Sequence, residues 1–149
     1  MLEKAIEIGV NEIYFINTSR GVSKRVKVDR LHRIAVGAMK QSKNLRLPTL
    51  HDIQDIAEVV SHASDSTLYV AHCADVEEHL AKQLIKTSPE DITIFIGPEG
   101  DFTTQEVDLL LGAGAKEVNL GTSRLRTETA AVVGASIVAT VYDAVLSRT

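Results

Sequence analysis

The stretch ITIFIGPEGDFTTQEV, residues 92–107, changes character twice along its length. Ile92 to Ile96 is a run of β-branched and aromatic residues, the composition of a short buried strand. Gly97-Pro98-Glu99-Gly100 breaks that strand. Glycine admits positive φ or the close approach of another group, and proline fixes its own φ, so the four residues read as a rigid, exposed turn. Thr103 and Glu106 then stand at capping-box spacing, which predicts a helix over 103–111. Strand, shaped turn and helix in this order is one unit of an α/β architecture.

The same alternation extends outward in both directions. Leu2, Ala5, Ile6 and Ile8 are helix-spaced and Gly9 can end that helix, after which EIYFIN (12–17) reads as a strand. Residues 20–30 form a basic, polar connection. Asp29 is placed to cap a helix running to about residue 43, with Leu31, Ile34, Ala35 and Ala38 on one face, and Pro48 closes the following turn. Residues 53–62 predict a short helix, TLYVAH (67–72) a strand, and 76–84 a helix opened by Asp75, Glu77 and Glu78. Gly112 and Gly114 break the 103–111 helix, 117–120 is a strand, and the last helix covers about 129–146. The expected fold is an α/β domain over 1–149, with a largely parallel sheet flanked by helices. Ligands of such sheets bind beyond the carboxyl ends of the strands, where the 97–100 turn and a second turn at Asn119-Leu120-Gly121 both fall.

Composition narrows the function. The chain has 149 residues, 44% hydrophobic and 24% charged, which is globular rather than disordered. Its net charge of −4 argues against general nucleic-acid attraction, yet the charge is uneven: residues 1–50 hold ten Lys/Arg against four Asp/Glu. A basic segment on an acidic body can still make directed phosphate contacts, or be a solvated face. Cys73 is the one cysteine, which excludes an internal disulfide and a cysteine metal cluster and fits a reduced, cytoplasmic thiol. His32, His51, His62, His72 and His79 are scattered without HExxH, so no metal site is expected. Residues 130–146 are apolar but short for a membrane span and include Asp143. GxxxxGK[ST], GxGxxG and GxSxG are all absent, which removes the common nucleotide-hydrolase, dinucleotide and serine-hydrolase readings.

The second motif is LRTETA, residues 125–130. It sets Arg126 and Glu128 against the start of the last apolar helix. Arg126 can bind a phosphate or a developing oxyanion in bidentate fashion, while Glu128 and Thr129 can cap the helix. Arg126 and Glu128 either pair or face opposite ways.

With these motifs in view, the chain resembles the catalytic domain of the bacterial ribosomal RNA small-subunit methyltransferase E family, in the SPOUT class of methyltransferases. The resemblance rests on KAIEIGVNEIYFI (4–16), AMKQS (38–42), IGPEGDFTTQEV (96–107) and LGTSRLRTETA (120–130), whose order matches across nearly the whole chain. It implies a deep carboxyl-terminal trefoil knot, a homodimer, and S-adenosylmethionine-dependent methylation of uridine N3 in 16S ribosomal RNA or the small ribosomal subunit. The alternatives are a noncatalytic RNA-binding or assembly module that keeps the fold, and a related SPOUT enzyme with another RNA target.

By the same resemblance, Gly97, Pro98, Glu99 and Gly100 form one cofactor loop. Leu120, Gly121, Leu125, Thr129 and Ala130 line the other, and Val70, Ala71 and His72 supply a third wall. Arg126, which also borders the cofactor, and Glu128 are the expected catalytic residues, with Glu128 preferred as the group that orients Arg126. Arg20, Lys24, Arg25, Gln41, Ser42, Lys43 and Arg46 are the expected RNA-binding residues. The sequence departs from the family pattern in two places: Asn44 stands where an arginine is common, and Asp101 where a glycine is frequent. The family's amino-terminal PUA-like RNA-binding domain is expected to be absent, since residue 1 falls where the catalytic domain would begin. The small residues Ala131, Gly134, Ala135 and Val138 are expected to allow close helix packing in a dimer.

Overall fold

A computed structural model of the protein describes residues 1–21, 28–42, 46–72, 75–88 and 90–146. Lys24, Arg25, Lys43, Asn44 and Cys73 lie outside the described residues. The described elements run α1 (Leu2–Ile8), β1 (Glu12–Asn17), α2 (Val28–Ser42), β2 (Thr49–Asp55), α3 (Ile56–His62), β3 (Thr67–Ala71), α4 (Leu80–Thr87), β4 (Ile92–Ile96), α5 (Thr104–Gly112), β5 (Lys116–Glu117) and α6 (Thr127–Val141). A π-type turn, Tyr142–Leu146, follows α6.

The strands are parallel, as expected, but they form two sheets rather than one: β1 with β2, and β4-β3-β5 with β3 in the centre. Its central place explains why β3 is buried from Leu68 to Ala71. Successive side chains of a strand face opposite ways, and two cores result. Leu68, Val70 and Phe95 pack with Ile56 and Val59 of α3 and Leu110 of α5. On the other face Tyr69 and Ala71 pack with Leu80 and Leu84 of α4 and Val141 of α6. Leu80 and Leu84 are fully buried, and burial of each contributes about 2 kcal/mol relative to exposure. A third core joins Leu2 and Ile6 of α1 to Ala35 and Ala38 of α2.

Local signals held where a single turn of chain decides the outcome. Gly9 ends α1 at φ 100°. Thr103 Oγ1 accepts from the Glu106 amide, and Glu106 returns the bond to the Thr103 amide at 2.7 Å, closing the expected capping box.

Four expectations are corrected, the first two by contacts made over longer range. Residues 49–55 are strand β2, so α3 begins only at Ile56. TLHDIQD is too polar to show a strand pattern, and pairing with β1, helped by Tyr14 stacking on His51 at 4.0 Å, imposes it. The helix expected over 76–84 starts at Leu80, because the chain before it is tied to Asn119: the Asn119 amide donates to the Glu78 carbonyl at 2.9 Å and the Leu80 amide to the Asn119 carbonyl at 3.0 Å. His79 then caps α4, its Nδ1 accepting from the Ala81 amide. Asp29 lies within the first turn of α2 rather than capping it. The last helix opens at Thr127, not residue 129, and gives way to the π-type turn after Val141.

Candidate functional site

The carboxyl ends of β3 and β4 lie side by side, Ala71 pairing with Ile96. The chain leaves β4 through Gly97, whose amide reaches back to the Ala71 carbonyl at 3.4 Å. The Asp101 amide donates to the Pro98 carbonyl at 2.8 Å and closes a tight turn over 98–101. Neither glycine of this loop needs a left-handed backbone; each permits close approach. A Cβ on Gly97 would stand 2.6 Å from Asp101 Oδ1, and one on Gly100 would stand 3.1 Å from Arg20 Cβ. The left-handed residue is Asp101, at φ 61°. That conformation accounts for glycine being frequent there, and aspartate is one of the few other residues that tolerates it. Asp101 Oδ1 also accepts from the Phe102 amide at 2.9 Å.

The second turn follows β5. Gly121 is left-handed at φ 139°, and its amide donates to Asn119 Oδ1 at 3.2 Å. Residues 121–124 are exposed and Leu125 is half-buried. The two turns are tied by Thr127, whose Oγ1 donates to the Gly97 carbonyl at 2.8 Å. Thr127 belongs to neither expected residue set, although it lies in the middle of LRTETA. Among the described residues, the amides of Glu99, Gly100 and of 122–125 make no hydrogen bond within the chain. Donors on two adjoining turns, beside apolar Ile96 and Leu120, fit a ligand that needs main-chain recognition and apolar cover.

The remaining expected residues are placed as follows. Arg126 takes the N-cap position of α6 with no capping bond from its side chain, and it is exposed. Glu128 and Thr129, also exposed, sit in the first turn and do not cap the helix; Ala130 is half-buried. Among the described residues the ion pairs are Lys4–Glu7, His51–Glu12 and His72–Glu117. No Arg126–Glu128 salt bridge is among them. Val70 turns its side chain into the α3–α5 core, so it offers the turns only main chain. Ala71 faces the α4–α6 side. His72 Nε2 meets Glu117 Oε1 at 2.7 Å, joining the end of β3 to β5.

The basic residues separate into different neighbourhoods. Arg20 Nη1 donates to the Gly100 carbonyl at 2.9 Å. Gln41 and Ser42 end α2, with Ser42 Oγ donating to the Ala38 carbonyl. Arg46 is exposed and lines a shallow cavity of about 420 Å³ with residues 9–12 and 47–49, none of which belongs to the two turns. Next to Arg20, the Ser19 amide donates to Glu106 Oε1 at 2.7 Å. Burial works to raise the Glu106 carboxyl, but bonds from Ser19 and Thr103 outweigh it and hold the group below its ordinary value. No cluster of three potential metal ligands occurs among the described residues. None of their helices is long and apolar enough to cross a membrane.

A family model described as an RNA methyltransferase domain matches residues 1–139. The chain belongs to this RNA methyltransferase domain family. It is 30% identical over 132 residues to the ribosomal RNA small subunit methyltransferase E of Rickettsia conorii, covering 88% of this chain and 54% of that protein. To the ribosomal RNA small subunit methyltransferase E 2 of Borreliella burgdorferi it is 32% identical over 138 residues, covering 89% and 56%. Among solved structures it is similar to the ribosomal RNA small subunit methyltransferase E of Neisseria gonorrhoeae bound to S-adenosyl methionine, with TM-score 0.80, 30% identity, and coverage of 94% of this chain and 58% of that one. The chain thus spans little more than half the length of these curated relatives. Within this methyltransferase domain, the two turns joined by Thr127 are the place where family resemblance and local geometry coincide.

Proposed function

We propose that the chain is a SPOUT methyltransferase domain over 1–149 that transfers a methyl group from S-adenosylmethionine to N3 of a uridine in 16S ribosomal RNA. The observation that carries this reading is the Thr127–Gly97 hydrogen bond, which ties the LRTETA segment to the 97–100 turn. Gly97, Pro98, Glu99 and Gly100 would hold the cofactor from one side. Leu120, Gly121, Leu125, Arg126, Thr129 and Ala130 would hold it from the other, with Ala71, His72 and the main chain of Val70 as the floor.

When bound, S-adenosylmethionine supplies an activated sulfonium methyl. The residues then have two tasks. Uridine N3 carries a proton and its lone pair is delocalised into the flanking carbonyls, so the proton must leave before N3 can attack. Glu128, exposed in the first turn of α6, would take it directly or through a water. Arg126, exposed beside it at the positive end of the helix dipole, would stabilise charge spreading onto the uracil oxygens. Holding acceptor and cofactor in line supplies much of the remaining acceleration.

The RNA would be met by Arg46, Gln41, Ser42, Lys43, Lys24 and Arg25. Arg20 stands apart because its guanidinium already serves the Gly100 carbonyl. A carboxyl-terminal trefoil knot is supported by β5 lying across β3 from β4 while α6 returns to the end of β4. A homodimer is supported by α6, apolar around most of its circumference yet only half-buried along much of its length. Action on ribosomal RNA would support a cytoplasmic location.

The test is labelled-methyl transfer to 16S ribosomal RNA or small subunits, with nucleoside analysis, comparing the parent with Arg126→Ala. The parent should yield N3-methyluridine, and the variant should lose at least about 100-fold in kcat, the scale of an oxyanion donor. Equal activity in the two proteins would remove Arg126 from the mechanism.

A further inference from the structure

The main-chain carbonyls of the 97–100 loop are held from three directions. Thr127 Oγ1 holds the Gly97 carbonyl, the Asp101 amide holds that of Pro98, and Arg20 Nη1 holds that of Gly100. Arg20 lies 80 residues earlier in the chain than Gly100. We infer that Arg20 is a positioning residue that fixes the 97–100 loop in its ligand-ready shape, rather than a phosphate anchor for RNA. The inference rests on the cofactor reading of that loop.

The geometry at both ends of the contact supports a built-in brace. The aliphatic stem of Arg20 lies flat on Gly100, so close that a Cβ there would stand 3.1 Å from Arg20 Cβ and 3.4 Å from Cδ. A side chain at Gly100 would therefore crowd the Arg20 stem, which would have to give by a few tenths of an ångström. The same guanidinium nitrogen reaches the Phe102 carbonyl at 3.5 Å, so one group spans both sides of the left-handed Asp101. Arg20 is itself anchored. The Gly21 amide donates to the Thr18 carbonyl at 3.1 Å and closes a turn over 18–21. The Ser19 amide ties this turn to Glu106 in the α5 cap at 2.7 Å. A loop with two glycines loses more conformational entropy on ordering than other sequences. A brace that orders it beforehand lowers the cost of binding a ligand there.

Arg20→Met keeps the stem and removes the donors. Hydrogen exchange of the free 149-residue protein should then be faster across 97–103, with strand β4 unchanged. Calorimetric affinity for S-adenosylmethionine should fall about tenfold, the effect expected of lost preorganisation. Arg20→Lys, with a single cationic head, should recover part of that loss. Gly100→Ala crowds the Arg20 stem from the loop side and should likewise speed exchange across 97–103.

If Arg20→Met leaves loop exchange and cofactor affinity unchanged while weakening RNA binding and its salt dependence, Arg20 is a phosphate contact and the inference fails. A folded parent that does not bind S-adenosylmethionine overturns the cofactor reading and this inference with it. A parent that binds as well as its variant overturns only the inference.

Discussion

Arg126 breaks a local rule where the chemistry is proposed. Helix N-caps favour Ser, Thr, Asp or Asn, whose short side chains accept bonds from the first free amides. Arginine accepts none, and its charge faces the positive end of the helix dipole. Arg126 nevertheless holds the N-cap of α6 without a side-chain bond. Residues that weaken the fold and stay exposed are those kept for function. Arg126→Ser should therefore raise unfolding free energy by about 0.5–1 kcal/mol in urea titrations while methyl transfer is lost. A variant that is both less stable and fully active would contradict this trade. The proposal for Arg126 and the turn at Gly97 can be read in the sequence because residue type and motif spacing are local facts. The role of Thr127 was not, because its partner, the Gly97 carbonyl, is 30 residues away.

Glu106 shows how one side chain joins elements. It closes the capping box of α5 and also receives the Ser19 amide from the segment after β1. Its folded-state titration lies below the ordinary value of 4.5. A depressed carboxylate stabilises the fold above its unfolded value, and that contribution disappears as pH falls through the folded value. Glu106→Gln should cost about 1 kcal/mol at pH 7, the size of a weakened charged hydrogen bond. Urea titrations of parent and variant at pH 7 and below pH 4 should show the gap closing in acid. A gap that widens in acid would reverse the assignment. The capping box was legible because Thr103 and Glu106 are three residues apart. Strand β2 was not, because Thr49–Asp55 becomes extended only by hydrogen-bonding to β1. The early part of α4 failed for the same reason: Glu78 to Leu80 spend their backbone groups on Asn119.

At the scale of the molecule, α6 packs into the subunit's own core and also carries the proposed dimer face. Gly134 is buried against Ile94, Ile96 and Leu120, and Val138, half-buried, packs on the same core, so both contribute to the subunit's own interior. Val132 is half-buried and, two residues from Gly134, points to the opposite side of the helix. Val132→Asp should leave far-ultraviolet dichroism intact and convert a dimer to a monomer by sedimentation equilibrium. A variant that sediments like the parent would move the interface away from α6.

The sequence by itself determined the α/β alternation, the parallel strands and the two motif turns, because hydrophobic periodicity, glycine and proline placement, and capping spacing all act within a few residues. Only the tertiary structure decided that the strands divide into two sheets, that Thr127 closes one turn on the other, and that Arg20 lies against Gly100. Those outcomes depend on which distant groups find each other: the sheets pair through backbone groups that carry no mark of residue type, and Thr127 and Arg20 each donate to a main-chain carbonyl far away in the sequence.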